Sequence, residues 1–397
     1  VGVGVGIGAT NSENNQNNSS IDIEPIHKLS ESEKIAFINN NLTYAGRSGH
    51  VLVGVGGTYP ERVAYAGNFY GYTPASLSTP SPESIDEQFS ENELELIVQL
   101  HETYKSMSER YGRNTGITLN GSVTLDIANP MSRNERFITD REQQELSAPA
   151  SIQISGIEIY RDENGTAMVR YRIENTYVGS GHDEMSGLVF ATVPLSDAVH
   201  HLERGQPVTS VLVAVSGPAS QKWNALQFLN NAIPNLNQAW IDSDTISFAQ
   251  LGGLTAPHLA QVREAGYVDG LMLLNGEYAP ALGGGLCNGA TVLGAAFFEF
   301  LEANGIDYEV LQHKNHGNNA NGESLIYIKG SKRGHNNATD DATLATDANG
   351  IPSPDLLIRI INKRGTHLNA QMTLFRSPEI DDARQPGDFF ALISLSR

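Results

Sequence analysis

Apolar residues recur along this chain in two rhythms, one helical and one alternating. From Ser90 to Gly112 the helical one holds: Ile97, Leu100, Tyr104, Met107 and Tyr111 return at steps of three and four. That spacing puts them on one face of a helix. Ser90 with Glu93 forms a capping box at its start, and Gly112 ends it. The stripe reads as a core-facing seam. From about 149 onward alternation takes over. Ile152–Tyr160 and Met168–Ile173 flank Asp162-Glu163-Asn164-Gly165, which predicts a hairpin. Val208–Val215 predicts a further strand, Gly217-Pro218 breaks it, and Trp223, Leu226 and Leu229 mark a helix. Short strands are expected at Val51–Val55 and Val123–Ile127, and late ones at Leu325–Lys329, Leu356–Ile361, Gln371–Phe375 and Phe389–Leu395. A helix from about Ala290 to Ala303 is apolar on most sides (Val292, Leu293, Ala296, Phe297, Phe300) and should be buried before Asn304-Gly305 stops it.

These elements predict an α+β chain of several domains, with mixed antiparallel sheets and a few buried helices. At 397 residues the chain exceeds one ordinary domain. Shifts in pattern divide it into an N-terminal extension (1–24), an N-terminal α+β domain (25–148), a β-rich middle domain (149–235) and a C-terminal domain (236–397). The extension opens on Val1, Val3, Val5 and Ile7, each followed by glycine or, after Ile7, Gly8-Ala9, and continues as a polar run from Thr10 to Ser20. An alternating strand of this kind can add to an open sheet edge of a neighbouring subunit. An apolar stub ahead of a polar spacer, at a chain beginning with Val, fits the mature end left by a removed leader. We therefore expect an exported protein, extracellular or at the cell surface, and a homo-oligomer joined through its N-terminal segment.

Charge changes the list of partners. With 45 acidic against 26 basic residues the formal net charge is −19, which repels a phosphate backbone, so no nucleic-acid partner is expected. A single cysteine cannot close an internal disulfide, and no Cys/His spacing matches a zinc site. Gly181-His182-Asp183-Glu184 holds metal-capable side chains on one short loop and reads as a solvated turn, so neither metal nor cofactor is expected. No stretch approaches the roughly 18 apolar residues of a membrane span. The glycines miss the dinucleotide fingerprint, because Asn288 stands where Gly283-x-Gly285 would require glycine or alanine. Phosphate-loop and Gly-x-Ser-x-Gly patterns are absent from the sequence.

Candidate chemistry gathers at Cys287. It follows Leu282-Gly283-Gly284-Gly285-Leu286 and precedes the apolar helix. A thiol at a helix N-terminus faces free N–H groups and the positive end of the dipole, which favours the thiolate. Downstream come His313, His316 and His335, then Asp340 and Asp341. A thiol nucleophile needs a base, and the base an orienting acceptor. Cys287 would attack, His316 or His335 would take its proton, Asp341 would orient the base, and N–H groups around Gly284, Gly285 and Asn288 would hold an oxyanion. Transglutaminase-like and papain-like sites use this order. A lone cysteine is also at home as a small apolar core residue.

The segment Tyr278-Ala279-Pro280-Ala281-Leu282-Gly283-Gly284-Gly285-Leu286-Cys287-Asn288 resembles the core of VanW-like proteins: a glycine triplet, one residue, Cys, usually Gln, then a helix. Ala303-Asn304-Gly305-Ile306, His313-Lys314-Asn315-His316, Asp341-Ala342-Thr343-Leu344 and Asp355 to Asn362 resemble the elements that follow in that family, and Ile246-Ser247-Phe248 and Gly266-Tyr267 those before. The likeness spans about Ile241 to Phe375. Asn288 stands where Gln is usual, Ala290 where Ser is common and His313 where Arg is usual, so the shell around Cys, His and Asp differs from the family's. The resemblance implies a bacterial cell-surface or wall-associated protein, with peptidoglycan as a partner class, and leaves the reaction open. Two readings follow: a structural or binding role, self-assembling into a surface fibre through the Val/Gly strand, or a cysteine-dependent peptide acyl transferase or hydrolase acting on cell-wall cross-links.

Overall fold

The computed structural model describes residues 28–46, 49–53, 57–70, 72–120, 123–128, 141–145, 149–173, 177–180, 189–215, 218–254, 259–274, 277–314, 326–329, 343–344, 355–363, 365–375 and 389–397. Helix α1 (Glu31–Asn41) leads into strands β1 (Thr43–Ala45) and β2 (His50–Val53), helix α2 (Tyr59–Tyr70) and the short β3 (Leu77–Ser78). Helices α3 (Pro82–Gln88) and α4 (Glu91–Tyr111) follow, then β4 (Thr115–Leu119), β5 (Thr124–Ala128) and β6 (Arg141–Glu145). The hairpin β7 (Ala150–Arg161) and β8 (Ala167–Ile173) precedes β9 (Tyr177–Ser180), β10 (Val189–Pro194), α5 (Leu195–Glu203) and β11 (Gln206–Val215). Next come α6 (Ala219–Asp242), β12 (Thr245–Ser247), the short α7 (Phe248–Leu251) and α8 (Leu259–Glu264), and the hairpin β13 (Asp269–Leu274) and β14 (Glu277–Leu282). Helix α9 (Leu286–Ala303) and strands β15 (Tyr308–Gln312), β16 (Ile326–Lys329), β17 (Leu357–Ile360), β18 (Asn369–Phe375) and β19 (Phe389–Ser396) complete the order. Helices and antiparallel sheets together make the α+β class expected.

The predicted α4 is present as read. Ser90 Oγ accepts from the Glu93 N–H and the Glu93 carboxylate reaches back, while Gly112 ends the helix at φ 59°. Leu94, Ile97, Leu100, Tyr104 and Met107 are buried, each large side chain removed from water contributing about 1.5–3 kcal/mol. In the β7–β8 turn, Asp162 Oδ1 accepts from the N–H groups of Asn164 (2.9 Å) and Thr166 (2.7 Å), so a side chain replaces the bonds the turn removes.

One sheet carries most of the strands. Its order is β18-β19-β11-β4-β7-β8-β10-β5-β6, with β2 added on β7 and β1 and β3 beyond it. Strand β7 is long enough to take two neighbours along one edge: Ala150–Gln153 pair with β4 and Ile157–Ile159 with β2, while β8 runs along the other. One core lies under α1, α3, α4 and α5 and includes Val51, Ile157, Val169 and Tyr171. A second is built by α6 and α9 against Val211, Ile393 and Leu395, together with β12 and β17.

Strand pairing and one helix cross the boundaries read from the sequence. The boundary placed at 148/149 falls inside a sheet shared by β4, β5, β7, β8 and β10, and the one at 235/236 falls within α6. The breaks in pattern there mark changes of element type, and hydrogen-bonded pairing crosses them. Helix α9 is long and apolar enough to cross a membrane by length and composition, against the expectation from sequence, yet 83 % of it is buried inside the protein. It is a core helix, and its buried Glu299 meets Arg113 at 3.3 Å.

Helices α6 and α9 pack closely because glycine faces the contact. A Cβ at Gly285 would lie 2.5 Å from the Gln221 Cα, and one at Gly289 would lie 2.7 Å from the Ala225 carbonyl oxygen. The two glycines and the two residues they meet are each four apart, one helical turn. Gly285 also has φ 100°, where a side chain is strained. Gly285→Ala should therefore lower unfolding stability by roughly 2–4 kcal/mol in urea titration. Gly365→Ala, at φ 65° with nothing within 4 Å, should cost about 1 kcal/mol. Equal losses in the two variants would refute the close-packing account.

Candidate functional site

The glycine run is a hinge between two packed elements. Gly283 donates to the Val268 carbonyl at 3.0 Å, and Leu286 and Asn288 donate to the carbonyls of Gly283 (3.0 Å) and Gly285 (3.1 Å), which starts α9. The helix so begins four residues earlier than expected, with Gly285 in the left-handed region as its N-cap and Cys287 in its first turn.

Asn224 of α6, wholly buried, fixes this loop from beneath. Its Nδ2 donates to the carbonyls of Val268 and Gly284, both at 2.9 Å, and its Oδ1 accepts from the Val268 N–H at 2.9 Å. Along the same helix Trp223 Nε1 donates to Gly266 O (2.8 Å), Gln227 to Ala265 O (2.9 Å), Asn231 to Ala265 O (3.0 Å) and Asn235 to Leu251 O (2.9 Å). Residues 223, 227, 231 and 235 share one face by their four-residue spacing. The loops that carry the motif are thus hung on one helix.

The thiol has a partner of its own. Cys287 Sγ accepts the Leu344 N–H at 3.4 Å and lies 3.7 Å from the Leu344 carbonyl, toward which its S–H can donate. Thr343 donates to the Lys314 carbonyl at 2.8 Å. Cys287 packs against the second core, in which Leu344 is buried. Tyr267, buried there too, donates to Gly252 O at 2.6 Å; burial, and to a lesser degree the nearby Cys287, hold its hydroxyl well above the usual range. Asp355 accepts from Ser247 Oγ (2.5 Å) and the Ala249 N–H (2.8 Å); burial raises its carboxyl while those bonds oppose the rise. The described parts of the motif segments therefore meet in one module: Ile246–Phe248 with Asp355–Ile360, Gly266-Tyr267 on α6, and Cys287 with Leu344.

Of the residues singled out by sequence, Gly284, Gly285 and Asn288 stand beside the thiol, but the Gly284 carbonyl is held by Asn224 and Gly285 is closed against Gln221. Gly285 and Gly289 admit the neighbouring helix α6. His316, His335, Asp341 and the turn Gly181–Glu184 lie outside the described residues, as do Val1, Val3, Val5 and Ile7.

A second polar cluster went unseen in the sequence. On the face of β7 and β8 turned away from the first core, Glu158 is 1 % exposed. It meets His50 Nδ1 at 2.7 Å and Arg170 Nη1 at 3.3 Å, and Tyr72 donates its hydroxyl to the same carboxylate. The Arg170 guanidinium lies 4.8 Å from the Tyr160 ring centroid. Burial alone would raise the Glu158 carboxyl. The bond and charge of His50, the charge of Arg170 and the Tyr72 hydroxyl outweigh it and bring it to about 2. Arg170 and Arg172 alternate with Val169, Tyr171 and Ile173, a pattern that reads as a solvated face; α2 and the residues after it cover that face instead. The three donors around Glu158 lock β2, β7 and β8 together.

Comparison with protein-family models, with curated proteins and with solved structures finds no match to this chain.

The buried carboxylate yields a pH prediction. Its folded value lies below that of an unfolded glutamate, so its stabilisation is full above about pH 4.5 and is lost as pH falls toward 2. The shift corresponds to about 3 kcal/mol. Glu158→Gln should lose roughly that much at pH 7 and close the gap to wild type at pH 2–3, read by urea unfolding at both pH values. A gap independent of pH would contradict the ionised, paired carboxylate.

Proposed function

We propose that this chain is an exported protein of the bacterial cell envelope, VanW-like in its C-terminal region, with a structural or binding role, and that copies join through the Val1–Ala9 strand into a surface fibre. Peptidoglycan is the partner class that setting offers. The observation that carries the structural reading is the use made of the glycine-cysteine motif. Its sulfur is bonded to the Leu344 backbone, Gly285 and Gly289 are closed against α6 and its loop carbonyl is held by Asn224. Groups engaged in this way hold the module together, and a nucleophile would have to break from Leu344 before attacking. The net charge of −19 suits a protein kept apart from its copies except where an uncharged segment meets them.

Two measurements test the reading. Alkylation of native protein with iodoacetamide at pH 7, followed by intact mass, should run about tenfold or more slower than in urea; a native rate equal to or above the unfolded one would favour the cysteine enzyme. Deletion of residues 1–9 should leave a folded monomer by light scattering under conditions where the full chain forms larger assemblies. An unchanged distribution of sizes would remove the assembly role.

A further inference from the structure

Sheet edges in this protein differ in how they are closed. Strand β18 ends the large sheet on one side, and its outer edge is answered by a side chain: Ala370 N–H donates to Asn237 Oδ1 at 2.8 Å, and Asn237 Nδ2 donates to Ala370 O at 3.1 Å. The opposite end is β6, whose sequence Arg141-Glu142-Gln143-Gln144-Glu145 is polar and charged, a composition that discourages edge pairing. Among the described residues strand β15 has no such side-chain cap; its one charge, Glu309, is taken up by Arg359 of β17, and its register shifts between Val310 and Gln312. Among the described residues it pairs on one side alone, with β17 in the order β12-β17-β15.

The apolar pattern at β15 is unfinished. Val310 stands opposite Ile358 and Tyr308 opposite Ile360, so these pairs share the face turned to the second core. Ile358 is wholly buried, yet Val310 is 40 % exposed and its neighbour Leu311 is 43 % exposed. The other face carries the Arg359–Glu309 ion pair. One more strand beside β15, apolar on the core side and without side chains on the other, would cover Val310 and leave that ion pair unobstructed. Val1-Gly2-Val3-Gly4-Val5-Gly6-Ile7-Gly8 has this form, with four β-branched residues on one face and glycines on the other. It is also uncharged, with no Asp, Glu, Lys or Arg before Glu13.

We propose that the open edge of β15 receives the Val1–Ala9 strand of a second copy. This rests on the assembly reading above and names its acceptor. Residues 10–27, fully extended, span up to about 60 Å, enough to carry the strand clear of its own surface. Donor and acceptor lie on different parts of the chain, so the contact is head-to-tail and propagates as a fibre wherever the rotation between copies does not close a ring.

The test uses the full chain with charges placed at either end of the contact. Val310→Lys/Leu311→Lys should raise the concentration at half-assembly by roughly tenfold or more, with thermal midpoint near that of wild type because both side chains are already exposed. Val3→Lys/Val5→Lys should do the same from the donor side. An equimolar mixture of the two double variants retains one sound donor and one sound acceptor, and should form a 1:1 dimer that grows no further. Assembly unaffected by Val310→Lys/Leu311→Lys, while deletion of residues 1–9 abolishes it, would overturn this acceptor and leave the assembly reading standing. If the deletion has no effect, the assembly reading fails first. A Val5→Cys/Val310→Cys chain in a Cys287→Ala background should cross-link between copies; cross-linking within one monomer would also overturn the proposal.

Discussion

The C-terminal half depends on polar side chains of helix α6 answering backbone groups that tight loops leave without partners. The carbonyls of Leu251, Ala265, Gly266 and Gly284 are met by side chains of this helix, and a buried group left unbonded costs about 1–3 kcal/mol. Asn224, Gln227, Asn231, Asn235 and the Trp223 indole supply the donors. The same helix must also approach α9 closely, which Gly285 and Gly289 permit. Removing side chains on one helix and adding amides on the other are complementary solutions to a single packing problem. The Cys287 site follows from it: the thiol lies where the glycine hinge places the first turn of α9, and Leu344 meets it there.

A different constraint governs the other half. There one sheet face is buried by α1, α3, α4 and α5 on mostly apolar side chains, while the reverse face buries Glu158 among His50, Arg170 and Tyr72. Burial of a carboxylate is unfavourable unless donors surround it, and strands β2 and β8 and the Tyr72 segment after α2 supply them. This network ties strand pairing to side-chain geometry. Strand β7 extends the tie, since its first half joins β4 and hence β11 and β19. The two cores therefore rest on one continuous set of hydrogen-bonded strands, and no seam appears where the sequence pattern changes.

The functional consequence concerns what is left over. At the motif, sulfur, glycines and loop carbonyls already have partners within the fold, and that favours a structural part for the module. At β15, among the described residues, partly exposed apolar area and an unpaired edge are left, whereas β18 is closed by Asn237 and β6 is charged. A protein carrying −19 can meet its own copies most readily where the approaching segment is uncharged and the charges facing it are paired, as Glu309 is with Arg359.

Much of the local structure could be read from residues alone. The capping box and seam of α4, the hairpin about Asp162-Glu163-Asn164-Gly165, the late strands and the buried character of α9 depend on neighbours a few positions apart, and sequence spacing determines those. The place of Cys287 at a helix start was legible for the same reason. Its bond to Leu344 was not, because 57 positions separate the two, and neither was the pairing of His50 with Glu158 across 108. Periodicity says which face of an element is apolar, but not whether another element covers the polar face; α2 decides that for Arg170 and Glu158. Likewise glycine announces freedom to turn or to be approached, and only the packed neighbour, here the backbone of α6, determines what approaches it.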